Sequence, residues 1–466
     1  MAELRMEDTI AALATPPGEG ALAILRLSGP STFQILEQIF HPSKGEIAGF
    51  QTHSLRLGNI CDPTSGFPID HSVIGIFRAP HSYTGEDVAE IYCHGGTTVT
   101  RRILEVLLRS GARHAEPGEF TRRAFLNHKL DLVQAEAVLD LIRSKSDGAL
   151  RVASRQLAGA LSDKFHQLKS SLMKLLAHIE AYLDFPDDDI EVYSSEDFRR
   201  QYQSLQAEIK ALRESFSRGV LLREGALVAI TGKPNVGKSS LFNALLSRDR
   251  ALVSTYAGTT RDVLEESLEI GGWRVRLMDT AGLCSEAVHP LDALGMNKTR
   301  SVLEGADIFF YLIDGSSALE AADRRIFQEI ISLGKTVMIL VNKADLGLQA
   351  DLAWLQSFSG GAAGLLRISA KTGEGIEKLH GHLLKIIQEH VGVSEGEQIT
   401  RIRHKDALQK ASEALHRSQR ALEERKSLEF VALDLKAALD EMRELVGEIY
   451  SEDLLDVIFS EFCIGK

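Results

Sequence analysis

The chain has 466 residues, of which 44% are hydrophobic and 25% are charged, a balance that is ordinary for a soluble globular protein. Its length predicts about three domains. Acidic residues outnumber basic ones by 65 to 53, and the resulting net charge of -12 excludes a surface coated with cations for indiscriminate nucleic-acid binding, although it allows a local basic patch.

Cysteine usage indicates a reducing compartment, so we expect a cytoplasmic protein. No Cys-x-x-Cys pair occurs, which argues against a zinc site and against a disulfide framework. No apolar run reaches the ~18 residues of a membrane span, and the N-terminus lacks the shape of a signal peptide, so we expect no membrane partner. The C-terminal sequence FCIGK does not fit the prenylation pattern. The four cysteines are Cys61, Cys93, Cys284 and Cys463.

The N-terminal region, residues 1–118, has the pattern of an α+β domain. Apolar runs over 21–29, 71–79 and 87–96 predict strands, and residues 97–112 predict a helix that Gly111 closes.

From residue 119 the apolar residues recur at spacings of three and four, which predicts long helices, mainly over 131–185 with a break at 186–191. A polar link over 390–398 precedes further helices. We therefore predict an α/β multidomain fold in which a helical domain is interrupted by an inserted domain, because insertions are tolerated where the host chain's ends lie close together. The predicted parts are residues 119–222 (helical, first part), 223–385 (inserted α/β domain) and 386–466 (helical, second part).

The inserted domain begins with a phosphate-binding motif. Residues 226–246 predict a strand, a loop and a helix, and GKPNVGKS at 232–239 matches the P-loop pattern GxxxxGK[ST]. Its glycines let backbone N–H groups turn toward phosphates, and the helix N-terminus adds favourable partial charge. We expect Lys238 to reach the β- and γ-phosphates and the Ser239 hydroxyl to ligate Mg²⁺.

Three later motifs have the order and spacing of a Ras-like GTPase: DTAG at 279–282, NKAD at 342–345 and SAK at 369–371. Asp279 is expected to hold Mg²⁺ through water. Asp345 can accept hydrogen bonds from both N1–H and the exocyclic amine of guanine, a donor pair that adenine lacks, so GTP is preferred to ATP. The predicted GTP-binding residues are Asn235, Val236, Gly237, Lys238, Ser239, Ser240, Ser254, Thr255, Thr259, Thr260, Asp279, Thr280, Ala281, Gly282, Asn342, Lys343, Asp345, Ser369, Ala370 and Lys371.

The hydrolytic apparatus differs from that of Ras. Leu283 follows DTAG where Ras has the glutamine that orients water, so another group must do this. AGTTRD at 257–262 is the predicted switch I, and Thr260 is its natural Mg²⁺ ligand. Asn235 either binds a K⁺ ion that replaces the charge of an arginine finger or is an amide that stabilises the loop.

Motifs over the whole chain resemble those of the MnmE (TrmE) family of tRNA-modification GTPases. They are, in order, TPPGEGALAILRLSG, SYTGEDVAEIYCHGG, PGEFTRRAFLNHKLDLVQAEAVLDLI, GKPNVGKSS, GTTRD, DTAG, NKAD and FCIGK. The resemblance implies an N-terminal tetrahydrofolate-binding domain that forms a homodimer, a helical domain and an inserted G domain.

The same resemblance implies an activity and its partners. With the FAD-dependent MnmG, in a heterotetramer or larger complex, the family adds an aminomethyl or carboxymethylaminomethyl group to carbon 5 of the tRNA wobble uridine. A 5-formyl- or 5,10-methylene-tetrahydrofolate supplies the one-carbon unit. The G domains pair across the dimer in K⁺, which triggers GTP hydrolysis.

Several site residues are implied by this resemblance alone. The K⁺ ligands would be Asn235, the backbone at Ser254 and Tyr256, and Thr259, with Ser239 and Thr260 on Mg²⁺. Folate contacts would be Arg26, Glu90, Lys129 and Lys466, with Glu86 as the rival of Glu90 and surface ion pairs as the alternative role of Arg26 and Lys129.

One departure from the family concerns catalysis. The family's catalytic glutamate follows DTAGL, and counting back from Gly295 places Asp292 there, in a loop that is one residue longer and contains Pro290. Glu286 is a possible substitute, and the shorter Asp predicts slower hydrolysis. Cys463 is either a nucleophile in the uridine chemistry or a buried structural thiol beside a functional Lys466.

Two basic stretches are candidates for tRNA contact, because tRNA binding needs local positive charge. One is the helical sequence 401–426, and the other comprises Arg122, Arg123 and Lys129; a charged stretch can equally be a solvated helix face. The rival to tRNA modification is a ribosome-assembly or translation GTPase, which would not bind folate. A scaffold that uses a nucleotide as a stabiliser would not hydrolyse GTP.

Overall fold

The computed structural model describes residues 7–184, 196–249, 265–279, 305–352, 362–391 and 396–466. Two compact units are formed. The first combines residues 1–142, 155–210 and 406–466, and the second combines 143–154 with 211–405. The chain is therefore multidomain with one unit inserted in the other, while the domain boundaries drawn from the sequence stay predictions.

A seven-stranded sheet forms the N-terminal part of the first unit. Its strand order is β3-β4-β5-β6-β2-β1-β7, with β1 and β7 parallel and the other neighbours antiparallel. The strands predicted over 21–29, 71–79 and 87–96 are confirmed. The bounds are β1 Ile10–Leu13, β2 Gly20–Ser28, β3 Phe40–Pro42, β4 Ser54–Cys61, β5 Pro68–Phe77, β6 Val88–Gly95 and β7 Arg113–His114.

Two helices cover one face of this sheet, α1 (Thr32–Ile39) and α2 (Thr97–Arg109). Side chains such as Leu25, Ile91 and Ile103 are fully buried between the sheet and the helices. Alternate strand residues point into this core, as expected for an antiparallel sheet with one covered face.

Helices make up the rest of the first unit, and some of them continue into the second. The longest, α6, packs along α13, and Lys436 on α13 donates to Glu180 on α6 at 2.8 Å. Within its described part, the long helical stretch predicted over 131–185 consists of three helices, α4, α5 and α6. The bounds are α3 Glu119–Leu126, α4 Leu132–Arg143, α5 Asp147–Leu157, α6 Ala160–Asp184, α7 Glu196–Glu214, α8 Phe216–Glu224, α12 Ile402–Glu423, α13 Leu428–Val446 and α14 Glu452–Ser460.

Across the described ranges, no helix has both the length and the apolar content that crossing a membrane requires.

Arg123 lies at the centre of an ion-pair cluster, the Arg123 cluster, formed with Asp8, Glu86, Arg113 and Glu119, of which Arg123 and Glu119 are buried. The Arg123 side chain is fully buried, and its guanidinium lies 2.6 Å from Asp8, 2.9 Å from Glu119 and 3.1 Å from Glu86. Arg113 adds a 2.6 Å contact to Glu119. These ion pairs connect α3 to the segment before β1 and to the loop before β6.

The neighbouring Arg122 is also buried, and it pairs with Glu452 and Asp456 of α14. The prediction that Arg122 and Arg123 form a tRNA-contacting surface is therefore wrong, because both guanidinium groups are engaged with carboxylates inside the first unit.

The C-terminal tail lies against the N-terminal sheet. Ile464 forms a β-bridge with Pro117, and the Phe120 N–H donates to the Lys466 carbonyl oxygen at 3.2 Å. Gly465 has φ +95°, and a Cβ there would lie 2.3 Å from the Leu13 carbonyl oxygen, so only glycine fits.

The second unit contains a six-stranded sheet in the order β13-β12-β11-β8-β10-β9. Among the strands that the structure describes here, only β9 runs antiparallel to its neighbour, and apolar side chains are buried on both faces. A parallel sheet covered on both faces has nearly continuous apolar strands, as in β8 and β11. The bounds are β8 Ala226–Thr231, α9 Lys238–Asp249, β9 Glu265–Ile270, β10 Trp273–Asp279, β11 Ile308–Asp314, α10 Ala321–Ser332, β12 Thr336–Asn342, β13 Ala362–Arg367 and α11 Ile376–Val391.

Candidate nucleotide site and a second polar cluster

The predicted nucleotide motifs meet at the carboxyl ends of the parallel strands. The P-loop follows β8, Asp279 ends β10, Asp314 ends β11 and Asn342 ends β12. Ligands of open α/β sheets bind at this edge.

The P-loop has the backbone that its glycines predict. Gly232 and Gly237 have φ of +140° and +99°, and Asn235 adopts a left-handed conformation with φ +63°. The Lys238 ammonium lies over the loop and donates to the carbonyl oxygens of Gly232 (2.9 Å) and Lys233 (2.8 Å). The loop therefore holds this cation where a phosphate chain would need it.

The residues expected to hold Mg²⁺ lie side by side. The Ser239 hydroxyl donates to Asp279 Oδ2 at 3.0 Å, although the two residues belong to different elements, α9 and β10. Mg²⁺ takes few protein ligands and completes its shell with phosphate oxygens and water. A hydroxyl beside a carboxylate fits this ion, and the described residues hold no cluster of three or more His, Cys, Asp or Glu suited to another metal.

The Asn342 amide joins three parts of the site. Its Nδ2 donates to the Val236 carbonyl oxygen at 2.8 Å, and its Oδ1 accepts from the Ala370 N–H at 2.9 Å. Asn342 thus ties the P-loop and the SAK segment to the end of β12.

Asp345, the carboxylate expected to bind guanine, is oriented by the SAK segment. The Ser369 hydroxyl donates to Asp345 Oδ1 at 2.7 Å, while Asp345 itself is exposed. One carboxylate oxygen is therefore fixed by the protein, and the carboxyl group is held in place for a base.

Asp314 is a site residue that the sequence reasoning missed. It lies opposite Asn342 in the β11–β12 register, and the Lys343 ammonium donates to its Oδ2 at 2.6 Å. Partial burial alone would raise the pKa of Asp314, but hydrogen bonds from Lys343 and Ser316 hold it below its usual range. An aspartate that ends the strand beside NKAD is the signal that could have identified it.

Lys233 anchors the P-loop to the start of α10. Its ammonium lies 2.8 Å from Asp323, a nearly fully buried side chain that also takes part in the capping box of this helix. The hydrogen bond that Lys233 donates to Asp323 raises the pKa of Lys233, so the lysine stays charged.

Replacing Gly237 with alanine is expected to abolish GTP binding. A Cβ at this position would lie 2.3 Å from Asn342 Nδ2, and the φ of +99° is strained for any residue with a side chain. Titration with a fluorescent GTP analogue measures the loss. Gly272→Ala is the matched control, because Gly272 also has a positive φ, +82°, but open space at the Cβ position. Equal affinity of Gly237→Ala and wild type would contradict this packing.

Ten predicted site residues lie outside the described residues, so their roles stay predictions. They are Ser254, Thr255, Tyr256, Thr259, Thr260, Thr280, Ala281, Gly282, Glu286 and Asp292.

A second polar cluster lies on the N-terminal sheet. Arg26 and Glu90 are directly opposite each other in the β2–β6 register, and the guanidinium lies 2.8 Å from Glu90 Oε1. The Tyr92 hydroxyl donates to Glu90 Oε2 at 2.6 Å. Glu86, the rival of Glu90, belongs instead to the Arg123 cluster.

The C-terminal tail brings Lys466 to this cluster. Burial lowers the pKa of Lys466, nearby Arg26 lowers it further, and Glu90 and Cys463 oppose the shift. Cys463 is exposed, so the alternative of a buried thiol is wrong. The Lys129 ammonium donates to the Pro80 carbonyl oxygen at 3.1 Å, and its folate contact stays a prediction.

Comparison with known proteins decides the family. A family model described as the MnmE helical domain matches residues 132–463, and one described as the GTP-binding protein TrmE N-terminus matches residues 9–129. The chain belongs to the MnmE family. Among MnmE proteins, the "tRNA modification GTPase MnmE" of Moorella thermoacetica is 44% identical and covers 99% of this chain and 100% of its own length. The protein of the same name from Carboxydothermus hydrogenoformans is 39% identical over 99% and 100% of the two chains.

The MnmE matches extend over both units. The helical-domain match begins before the inserted sheet and ends near the C-terminus, so it spans the nucleotide site as well as α13 and α14. The N-terminal match contains Arg26, Glu90 and the Arg123 cluster except Asp8. The polar cluster and the nucleotide site thus both lie in MnmE-family sequence.

Proposed function

We propose that this MnmE-family chain binds and hydrolyses GTP in support of tRNA modification. The observation that carries the proposal is the convergence of the P-loop, the Ser239–Asp279 pair and the Asp345–Ser369 pair at one edge of the inserted sheet. The name shared by its full-length relatives supports the tRNA role.

Different residues of the nucleotide site would bind different parts of GTP. Lys238 and the N-terminus of α9 receive the phosphates, while Asp345 accepts the two guanine donors. Mg²⁺, held by Ser239 and by Asp279 through water, would neutralise charge on the phosphates. Asp292, or Glu286 in its place, would orient the attacking water. The shorter side chain of Asp292 would make hydrolysis slower.

Asn235 is proposed to bind K⁺ beside the phosphates. Its exposed position in the P-loop supports this, because an exposed amide can supply an oxygen ligand to an ion beside the phosphates. The further ligands would be Ser254, Tyr256 and Thr259. The K⁺ charge would replace an arginine finger once two G domains pair in a homodimer.

GTP hydrolysis measured in K⁺ and in Na⁺ at equal ionic strength tests this proposal. We expect hydrolysis to be faster in K⁺ by about a hundredfold, the scale of one well-placed charge donor. Asn235→Ala should lose this difference and keep its affinity for GDP.

Equal rates in the two salts would remove the K⁺ mechanism and favour the ribosome-type GTPase, which needs an external activator. No hydrolysis in either salt would remove GTPase activity itself. Asn235→Asp serves as a control for loop geometry, because it keeps a side-chain oxygen and adds a charge.

The Arg26–Glu90–Lys466 cluster is proposed to bind a tetrahydrofolate derivative, 5-formyl- or 5,10-methylene-tetrahydrofolate. Two cations and one carboxylate, partly buried together, suit a ligand that carries carboxylates and a ring with donor and acceptor atoms. The exposed Cys463 thiol nearby would be available for the uridine chemistry. The FAD-dependent MnmG is the proposed partner, and the cytoplasm is the proposed location.

A further inference from the structure

Lys343, in the NKAD motif, has a backbone conformation that is uncommon for a lysine. Its φ is +64° and its ψ is +37°, which lie in the left-handed region. Glycine, asparagine and aspartate enter this region most readily, whereas in other residues Cβ crowds the following carbonyl oxygen. Such a conformation persists only where the surrounding structure enforces it, and conformations of this kind are concentrated at functional sites.

The turn at Lys343 separates two side chains that have different parts in the nucleotide site. Before the turn, the Asn342 amide donates to the Val236 carbonyl oxygen at 2.8 Å and so connects β12 to the P-loop. After the turn, Asp345 is exposed, with one carboxylate oxygen held by the Ser369 hydroxyl at 2.7 Å. The direction of Asp345 relative to the P-loop therefore depends on the conformation of Lys343.

Asp314, at the end of the neighbouring strand β11, holds the side chain of Lys343. Its Oδ2 accepts from the Lys343 ammonium at 2.6 Å, and its Oδ1 accepts from the N–H and the hydroxyl of Ser316 at 2.9 and 2.6 Å. The Asp314 side chain is 19% exposed and that of Lys343 is 31% exposed. An ion pair that is this far removed from water is screened less than a pair on the open surface.

Backbone hydrogen bonds hold the chain on both sides of Lys343. The Gly315 N–H donates to the Asn342 carbonyl oxygen at 2.8 Å, and the Ala344 N–H donates to the Ile368 carbonyl oxygen at 3.1 Å. The ends of β11 and β12 are so close that a Cβ on Gly315 would lie 2.9 Å from the Asn342 carbonyl oxygen. Together with the ion pair to Asp314, these bonds form a frame that fixes the left-handed turn.

We propose that Asp314 is a positioning residue for guanine recognition. By holding the Lys343 ammonium, it keeps the NKAD turn left-handed and the Asp345 carboxylate directed at the base. The inference rests on the proposed GTP function and deepens it, because it assigns part of the base selectivity to an ion pair that lies behind the residue expected to bind guanine.

The test compares GTP with inosine triphosphate, which lacks the exocyclic amine of guanine, by competition against a fluorescent GDP on the full-length chain. Wild type should bind GTP more tightly by about tenfold or more, since a hydrogen bond to a charged group contributes on that scale. In Asp314→Asn, a displaced Asp345 would lose two guanine contacts but only one inosine contact. We therefore expect about tenfold weaker GTP binding and a preference for GTP of only about threefold.

A double-variant cycle determines whether Asp314 acts through Lys343. Lys343→Met removes the ammonium, keeps most of the side-chain length and should itself reduce the GTP preference. Adding Asp314→Asn to Lys343→Met should reduce the preference no further, because their shared ion pair is already absent. A further loss would show that Asp314 acts by another route and would overturn the proposal. Circular dichroism confirms folding, and if Asp314→Asn does not fold, an unchanged GTP preference in Lys343→Met alone would overturn the proposal.

Glu389→Gln is the matched control, because it neutralises the carboxylate of an exposed pair with Lys385, 3.8 Å away on α11 of the same unit. An unchanged GTP preference in Asp314→Asn, or an equal loss in Glu389→Gln, would overturn the positioning role. Equal binding of GTP and inosine triphosphate by wild type would also overturn it, since there would be no recognition of the amine. Wild type that binds neither triphosphate would instead defeat the proposed GTPase function.

Discussion

Replacing Arg123 with methionine is expected to lower the free energy of unfolding of the first unit by about 3–5 kcal/mol, the usual result of removing one partner from a buried ion pair. The guanidinium is fully buried, and its loss would leave Glu119, itself 1% exposed, with one ion pair, to Arg113, and the hydrogen bond from the Glu116 N–H. Asp8 and Glu86 would also be deprived of their ion pairs with Arg123. Urea unfolding followed by circular dichroism measures the change in midpoint.

Arg101→Met is the matched control for this variant. Arg101 forms an exposed ion pair with Glu105 one turn away on α2, and such a pair contributes about 0–1 kcal/mol. If both variants shifted the midpoint equally, the Arg123 cluster would have no special part in stability.

The same cluster predicts how stability depends on pH. Burial would raise the pKa values of Asp8 and Glu119, but hydrogen bonds from Arg113 and Arg123 outweigh it and hold both below their ordinary values of 3.8 and 4.5. A carboxyl with a lowered folded-state pKa stabilises fully above its unfolded-state pKa and loses that contribution as pH falls through the folded value. The difference between wild type and Arg123→Met should therefore be largest above pH 4.5 and shrink in more acidic solution.

Exchanging Asp345 for asparagine should reverse the base preference of the nucleotide site. A carboxylate accepts from both adjacent guanine donors, whereas the asparagine amide can accept from only one of them with its oxygen and turns its N–H₂ donor toward the other, which is left unpaired. A site built to hydrogen-bond its ligand rejects one with mismatched groups by about 10⁴-fold. We expect GTP affinity to fall on that scale and xanthosine triphosphate, which has an acceptor in place of the amine, to bind better than GTP.

Competition of both triphosphates against a fluorescent nucleotide measures this reversal. Asp351→Asn is the control, since it is an exposed carboxylate a few residues beyond the NKAD motif. Retention of the GTP preference by Asp345→Asn would remove Asp345 from base recognition.

The sequence predicted the parts of the site that depend on local geometry. The P-loop, NKAD and SAK motifs place their residues through short-range backbone constraints, and each lies where its strand ends. The contact between Asp314 and Lys343 was missed because it depends on the register of two parallel strands, which no local pattern determines.

Arg122 and Arg123 were misjudged for a related reason. Their partners Asp456 and Asp8 lie 334 and 115 residues away along the chain. The sequence alone therefore suggested that these two adjacent arginines were exposed and could contact tRNA. Only the fold shows that carboxylates close around both. The contrast between Glu86 and Glu90 has the same origin, because strand register alone places Glu90 opposite Arg26.

The interleaved course of the chain has a consequence for synthesis on the ribosome. The first unit requires its third segment, residues 406–466, which contains α13, the packing partner of α6. Leu168, Leu172 and Leu175 of α6 are buried in the finished protein, but they emerge before the whole inserted unit has been translated. The nascent chain therefore presents this apolar stripe until α13 follows, which makes α6 a natural binding segment for chaperones during translation.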